Sequence, residues 1–172
     1  MTATMTADTG RQRTRAALFL AVAMAATVGS ALAFQYIGGY IPCHLCLEQR
    51  TPYYIGAPLM LLAAITSMLR APAWVTRGLL AIGGLLMLYG LYLGVYHSGV
   101  EWGWWQGPAD CTAGAGPVDT GGKGVLDALD KFVPPSCDKA ALRILGLSLA
   151  GWNTVASLIL AAVAFRSALA RD

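Results

Sequence analysis

The chain has 172 residues, of which 56% are hydrophobic and only 12% charged, with a mean hydropathy of +0.57. Soluble domains carry roughly 25% charged residues, so this composition excludes an ordinary water-soluble globular protein and indicates a membrane protein. A formal net charge of +3, spread over scattered basic residues without an interleaved basic and aromatic patch, gives no surface for nucleic acid.

Residues 1 to 14 are small and polar and read as a disordered tail ahead of a single integral membrane domain that takes up the whole chain, 1 to 172. Four windows then lack any Asp, Glu, Lys or Arg: 16 to 47, 51 to 69, 78 to 100 and 144 to 165. A helix crossing about 30 Å of hydrocarbon needs roughly 20 residues, so each window suffices for one crossing. None shows the alternation of a barrel strand, and backbone polar groups in lipid must be paired internally. The expected fold is therefore an all-α membrane protein, a four-transmembrane-helix bundle with spans at about 16 to 36, 52 to 69, 76 to 96 and 144 to 165. A short loop at 37 to 51 and a long one at 97 to 143 share one side.

Arg11, Arg13, Arg15, Arg70, Arg77, Arg166 and Arg171 flank the spans on the side of the termini, in short segments. Arg50, Lys123, Lys131, Lys139 and Arg143 lie on the other side, mostly diluted in a long acidic loop. The positive-inside rule makes both termini cytoplasmic and both loops periplasmic. Ala31-Leu32-Ala33 after an arginine-led apolar stretch resembles a cleavable signal, but the stretch is long for a signal core, and we expect it to be retained as span one.

Gly38-Gly39 permits a sharp turn after span one, Pro52 suits a helix start and Pro58 a kink. Gly83, Gly84, Gly90 and Gly94 in span three have the small-residue spacing that lets helices approach closely. Trp102, Trp104 and Trp105 suit the headgroup zone. Val125, Leu129, Phe132 and Val133 recur at helical spacing and predict a short interfacial helix ended by Pro134-Pro135. Asn153, alone in span four, reads as an interhelical hydrogen bond.

All four cysteines, Cys43, Cys46, Cys111 and Cys137, fall in the two outward loops. An even number on a non-cytoplasmic face points to disulfides in an oxidising compartment, and the natural one of three possible pairings joins 43 with 46 and 111 with 137. As a staple, the 27-residue ring closed by 111 and 137 contributes about 3.5 kcal/mol, the four-residue ring closed by 43 and 46 only about 2. A tight C-x-x-C ring suits a disulfide that is made and broken repeatedly. If span two begins near Cys46, its N-terminus and Arg50, four residues on, both favour Cys46 as the thiolate. Cys43, Cys46 and His44 or His97 could be zinc ligands, but no metal is expected: the second pair lacks knuckle spacing, and adjacent Cys43 and His44 seldom share one tetrahedral ion. Leu47 excludes covalent haem, and no dinucleotide motif is present, which leaves an electron acceptor dissolved in the bilayer.

The run Pro42-Cys43-His44-Leu45-Cys46-Leu47-Glu48-Gln49-Arg50, four spans and a second cysteine pair in the long outer loop together resemble the DsbB family, the disulfide-forming quinone reductases of the bacterial inner membrane. The resemblance implies a thiol:quinone oxidoreductase whose Cys111–Cys137 disulfide is attacked by a DsbA-like periplasmic thioredoxin-fold partner, forming a mixed disulfide at Cys111. Cys137 then exchanges with Cys43, which releases Cys46 beside ubiquinone. Arg50 would hold the quinone, and His97 matches a family position near it. The alternative from another class is a four-span scaffold or transport protein with two structural disulfides.

Overall fold

The computed structural model describes residues 2–108, 111 and 136–170, with side chains from Gly10 onward. The elements are α1 (Thr2–Tyr36), α2 (His44–Glu48), α3 (Thr51–Met68), α4 (Ala73–Glu101), β1 (Arg143–Ile144), β2 (Leu147–Ser148) and α5 (Leu149–Leu169). Among the described residues, three helices are long and apolar enough to cross a membrane: α1 from Gly10 to Tyr36, α4 and α5. Helix α3, at 18 residues, corresponds to the expected second span. Its first two turns carry Thr51, Pro52, Tyr53, Tyr54, Gly56 and Pro58, which lower its apolar character.

The helices pack in the cyclic order α1, α3, α4, α5, and the most extensive contact joins α4 to α5. Leu20 and Met24 from α1, Tyr53 and Met60 from α3, Leu80 and Met87 from α4 and Leu160 from α5 fill the core, with alanines between them. The α4 to α5 contact is close because α4 presents no side chain there. A Cβ at Gly94 would lie 2.6 Å from Thr154 Oγ1, and one at Gly84 2.8 Å from the Phe165 ring. Val22, Leu61, Ile65, Leu85, Tyr92 and Leu158 point outward and exposed. An apolar belt of this extent is a liability in water and is satisfied by lipid.

Several expectations are corrected. Residues 2 to 14, read as a disordered tail, continue α1, because nothing ahead of Gly10 breaks the helix. Arg13 is buried and donates to Ala170 O at 2.7 Å, while Arg77 Nε donates to Ala168 O at 2.8 Å, so two arginines used to assign topology also cap the carboxyl end of α5. The fold is not purely helical: residues 143 to 148, partly assigned to span four, form a two-stranded antiparallel hairpin pairing Arg143 with Ser148. Leu145 and Gly146 take positive φ there, and Ser148 caps α5 by accepting from Gly151 N, so the helix starts at Leu149. Helix α4 runs to Glu101, which carries His97 and Ser98 inside it instead of in the loop. Gly39 makes the expected turn, with φ +71°. The interfacial helix expected over 125 to 133 lies outside the described residues.

Candidate redox site at one end of the bundle

The C-x-x-C segment does not open the second span. It forms its own short helix, α2, with Cys43 as N-cap: the Cys43 sulfur accepts from Cys46 N at 3.3 Å. Gln49 and Arg50 form a turn before α3, so Arg50 caps a different helix and does not share a helical face with Cys46. Its guanidinium reaches α1 instead, donating to Gln35 Oε1 and to Ala31 O.

Cys43 and Cys46 are free thiols with sulfurs 2.7 Å apart. Cys111 and Cys137 are joined by a disulfide with Cα atoms 5.5 Å apart, as the natural pairing predicts. Both pairs meet in one packed cluster, where Cys43, Leu45, Val100, Cys111 and Cys137 are buried and Cys46 and Tyr96 pack against them. That convergence brings chain positions more than 60 residues apart into a single site.

His97, expected at the start of the long loop, is buried. Its Nε2 lies 3.7 Å from Cys43 Sγ and 3.9 Å from Glu101 Oε1, and its Nδ1 is 2.6 Å from Gln49 Nε2. Cys43, Cys46 and His97 therefore offer three ligand atoms within 4.8 Å of one another, a proximity that linear spacing did not show.

The ionisation of the reduced pair is the reverse of the sequence expectation. The Cys46 thiol donates to Cys43, and this bond, with help from His97 and the Cys46 N–H, outweighs burial and lowers the Cys43 pKa from 9.0 to about 5. The same shared proton, reinforced by burial, pushes Cys46 up, and the nearby Arg50 offsets little of that. With Arg50 turned toward α1, the anion settles on the residue that caps α2 and faces His97.

Beside Cys46 opens a cavity of about 370 Å³ between α1, α3 and α5, with apolar walls that include Val28, Phe34, Ile144 and Trp152. Its polar groups include Cys46, Arg50, His97, Gln49 and Asn153, whereas Cys43 does not line it. The volume falls within the range of small-molecule sites, roughly 300–1,000 Å³, and a mostly apolar wall with a few converging polar groups is their usual character.

A family model for "Disulfide bond formation protein DsbB" matches residues 12–166. The chain belongs to the DsbB family. Membership makes it a membrane oxidoreductase of disulfide formation and places it among bacterial inner-membrane proteins. It is also similar to the uncharacterized protein RP370 of Rickettsia prowazekii (strain Madrid E), 29% identical over 127 residues that cover 73% of this chain and 70% of that protein. No solved structure matches.

Sequence reasoning named the four cysteines, Arg50 and His97, which the fold brings to one end of the bundle, but did not name Gln49, Tyr53, Glu101 and Gln35, which lie beside them. Glu101 had a legible signal, a carboxylate four residues after His97 on the same helix. Gln49 carries no signal of its own beside Arg50. Asn153 does make the expected interhelical bonds, donating to Gly90 O at 3.3 Å and to Gln49 Oε1 at 2.7 Å.

Proposed function

We propose that the protein is a thiol:quinone oxidoreductase that reoxidises a DsbA-like periplasmic thioredoxin-fold oxidase and passes the electrons to ubiquinone in the membrane. In this reading α3 is the fourth span, both termini are cytoplasmic, and both cysteine pairs face the periplasm. The observation that carries it is the position of Cys46 on the wall of an apolar cavity, while the second disulfide packs behind Cys43.

The partner's thiolate attacks Cys111 and displaces Cys137 as a thiolate; the partner's second thiol then completes its own disulfide and frees Cys111. Cys111 is only 7% exposed, so its sulfur must be uncovered before it can be attacked. Cys137 next attacks Cys43 of an oxidised 43–46 pair and releases Cys46, and Cys111 closes the 111–137 bond and releases Cys43. Two electrons thus move from the outer pair to the inner one.

The cavity fits a quinone: Arg50 and His97 provide donors for a carbonyl-bearing ring, and Phe34, Ile144 and Trp152 provide apolar walls. A quinone held there would supply the two-electron sink for re-forming the Cys43–Cys46 bond, taking up the one proton that Cys46 carries and a second from water. Arg50 offers positive charge near Cys46, and the apolar walls keep water from the thiol. Cys43, already anionic in the reduced pair, would bond to the Cys46 sulfur as the electron pair leaves for the quinone and the Cys46 proton is lost.

Two measurements test the reading. A reduced thioredoxin-fold oxidase that keeps only its attacking cysteine should accumulate a mixed disulfide with Cys111 as Cys137 leaves as a thiol, and Cys46→Ser should lose quinone reduction. An absent adduct while Cys111 reacts with small thiol reagents after reduction, or retained quinone reduction in Cys46→Ser, sinks the proposal.

A further inference from the structure

A chain of hydrogen bonds crosses the bundle from α5 to the thiol pair. The Tyr53 hydroxyl contacts Ser157 Oγ at 2.8 Å and donates to Asn153 Oδ1 at 2.6 Å. Asn153 Nδ2 donates to Gln49 Oε1 at 2.7 Å, and Gln49 Nε2 contacts both Leu45 O at 3.3 Å and His97 Nδ1 at 2.6 Å. His97 Nε2 then faces Cys43 Sγ at 3.7 Å.

The direction of every bond is set by two backbone carbonyls, which can only accept. Asn153 Nδ2 lies 3.3 Å from Gly90 O, so the amide nitrogen must sit there; turning the side chain over would oppose two oxygens. Leu45 O fixes the nitrogen of Gln49 in the same way. With both amides fixed, the Gln49 NH₂ donates to His97 Nδ1, which must present its lone pair. The hydrogen of a neutral imidazole is then on the other nitrogen.

We propose that Gln49 is a positioning residue that sets the tautomer of His97, placing its hydrogen on Nε2 where it is donated to the Cys43 sulfur. The inference rests on reading Cys43 and Cys46 as the redox pair. The roles then divide across the site. Gln49, held by Asn153 and by Leu45 O, orients His97; His97 stabilises the Cys43 anion; Cys46 keeps the shared proton and faces the cavity. The same tautomer leaves Nε2 without a lone pair for a cation, so the Cys43, Cys46 and His97 trio is arranged as a thiolate cradle and not as a metal site. The ionisable groups facing His97 are Cys43 and Cys46 from α2 and Glu101 from α4; α3 adds Arg50 and Tyr53, α5 only the uncharged Asn153 and Ser157, and α1 Gln35.

The chain has two histidines, so nitrogen NMR of the full-length reduced protein in detergent, labelled with ¹⁵N at the imidazoles, reads the tautomer directly, with His44→Gln assigning the signals. At neutral pH, His97 should show a bare Nδ1 and a protonated Nε2. Gln49→Glu, nearly the same shape, replaces the donor by an acceptor and should move a hydrogen onto Nδ1. Gln49→Leu should raise the midpoint of Cys43 ionisation by about one pH unit, a tenfold loss of thiolate. A protonated Nδ1 in the unmodified protein, or the same tautomer in Gln49→Glu, overturns the proposal. Loss of quinone reduction alone would not, since the tautomer and the thiolate are read without quinone.

Discussion

Replacing Cys111 and Cys137 by serine leaves only the C-x-x-C thiols, so ultraviolet thiolate absorbance of the reduced protein reports that pair alone. Ordinary thiols near 9.0 would be about 1% ionised at pH 7. With Cys43 lowered to about 5 it is about 99% ionised at that pH, whereas Cys46 stays protonated. The absorbance should therefore rise with a midpoint near pH 5 to the amplitude of a single thiolate and then stay level through neutrality. Cys46→Ala removes the largest cause of the shift and leaves burial, which acts the other way, so the Cys43 midpoint should climb by about two pH units, a hundredfold loss of anion. The linkage has a definite sign. Between pH 5 and 9 the unfolded chain holds two thiol protons and the folded one holds one, so stability of the reduced protein rises with pH across that window. Above it the unfolded chain loses both while Cys46 keeps one, and stability falls again. Two thiols titrating together near 9.0, with no dependence of unfolding on pH between 5 and 8 relative to the double serine variant of Cys43 and Cys46, would refute the shared-proton reasoning.

Asn153→Leu strips three tertiary hydrogen bonds, to Gln49 in the turn before α3, Gly90 and Tyr53. At roughly 0.6 kcal/mol for each such bond in a membrane protein, the loss is about 2 kcal/mol, measurable by denaturant unfolding in detergent. Gly94→Val puts a branched side chain against Thr154, whose Oγ1 and backbone N lie 2.6 and 3.1 Å from the position of a Cβ, so an overpacking cost of about 1–3 kcal/mol should appear in the same assay. Arg50→Lys keeps the charge but cannot hold both Gln35 Oε1 and Ala31 O. We expect a KM for quinone raised about tenfold, corresponding to about 1.4 kcal/mol; unchanged quinone kinetics would take Arg50 out of the site.

Helices α1, α4 and α5 are legible because a helix in lipid must be apolar along its whole length, a property of consecutive residues. The start of α5 lies five residues beyond the start of its uncharged window, since such a window cannot separate a helix from the hairpin at 143 to 148 that leads into it. The end of α4 lies beyond the expected position 96, because Glu101 reads as a polar loop residue until its burial beside His97 is known.

The pairing of Cys111 with Cys137 was determined by the sequence itself, because ring size follows from position along the chain, whereas the Cys43–Cys46 bond expected with it is a pair of free thiols. Which sulfur carries the charge was decided by tertiary structure. Arg50, one turn from Cys46 in sequence, is drawn to α1, while His97, 54 residues from Cys43, arrives through the packing of α4 against α2. Electrostatic stabilisation falls off with distance in space and depends on which way each donor points. Spacing along a chain specifies neither once the helix is interrupted at Gln49 and Arg50.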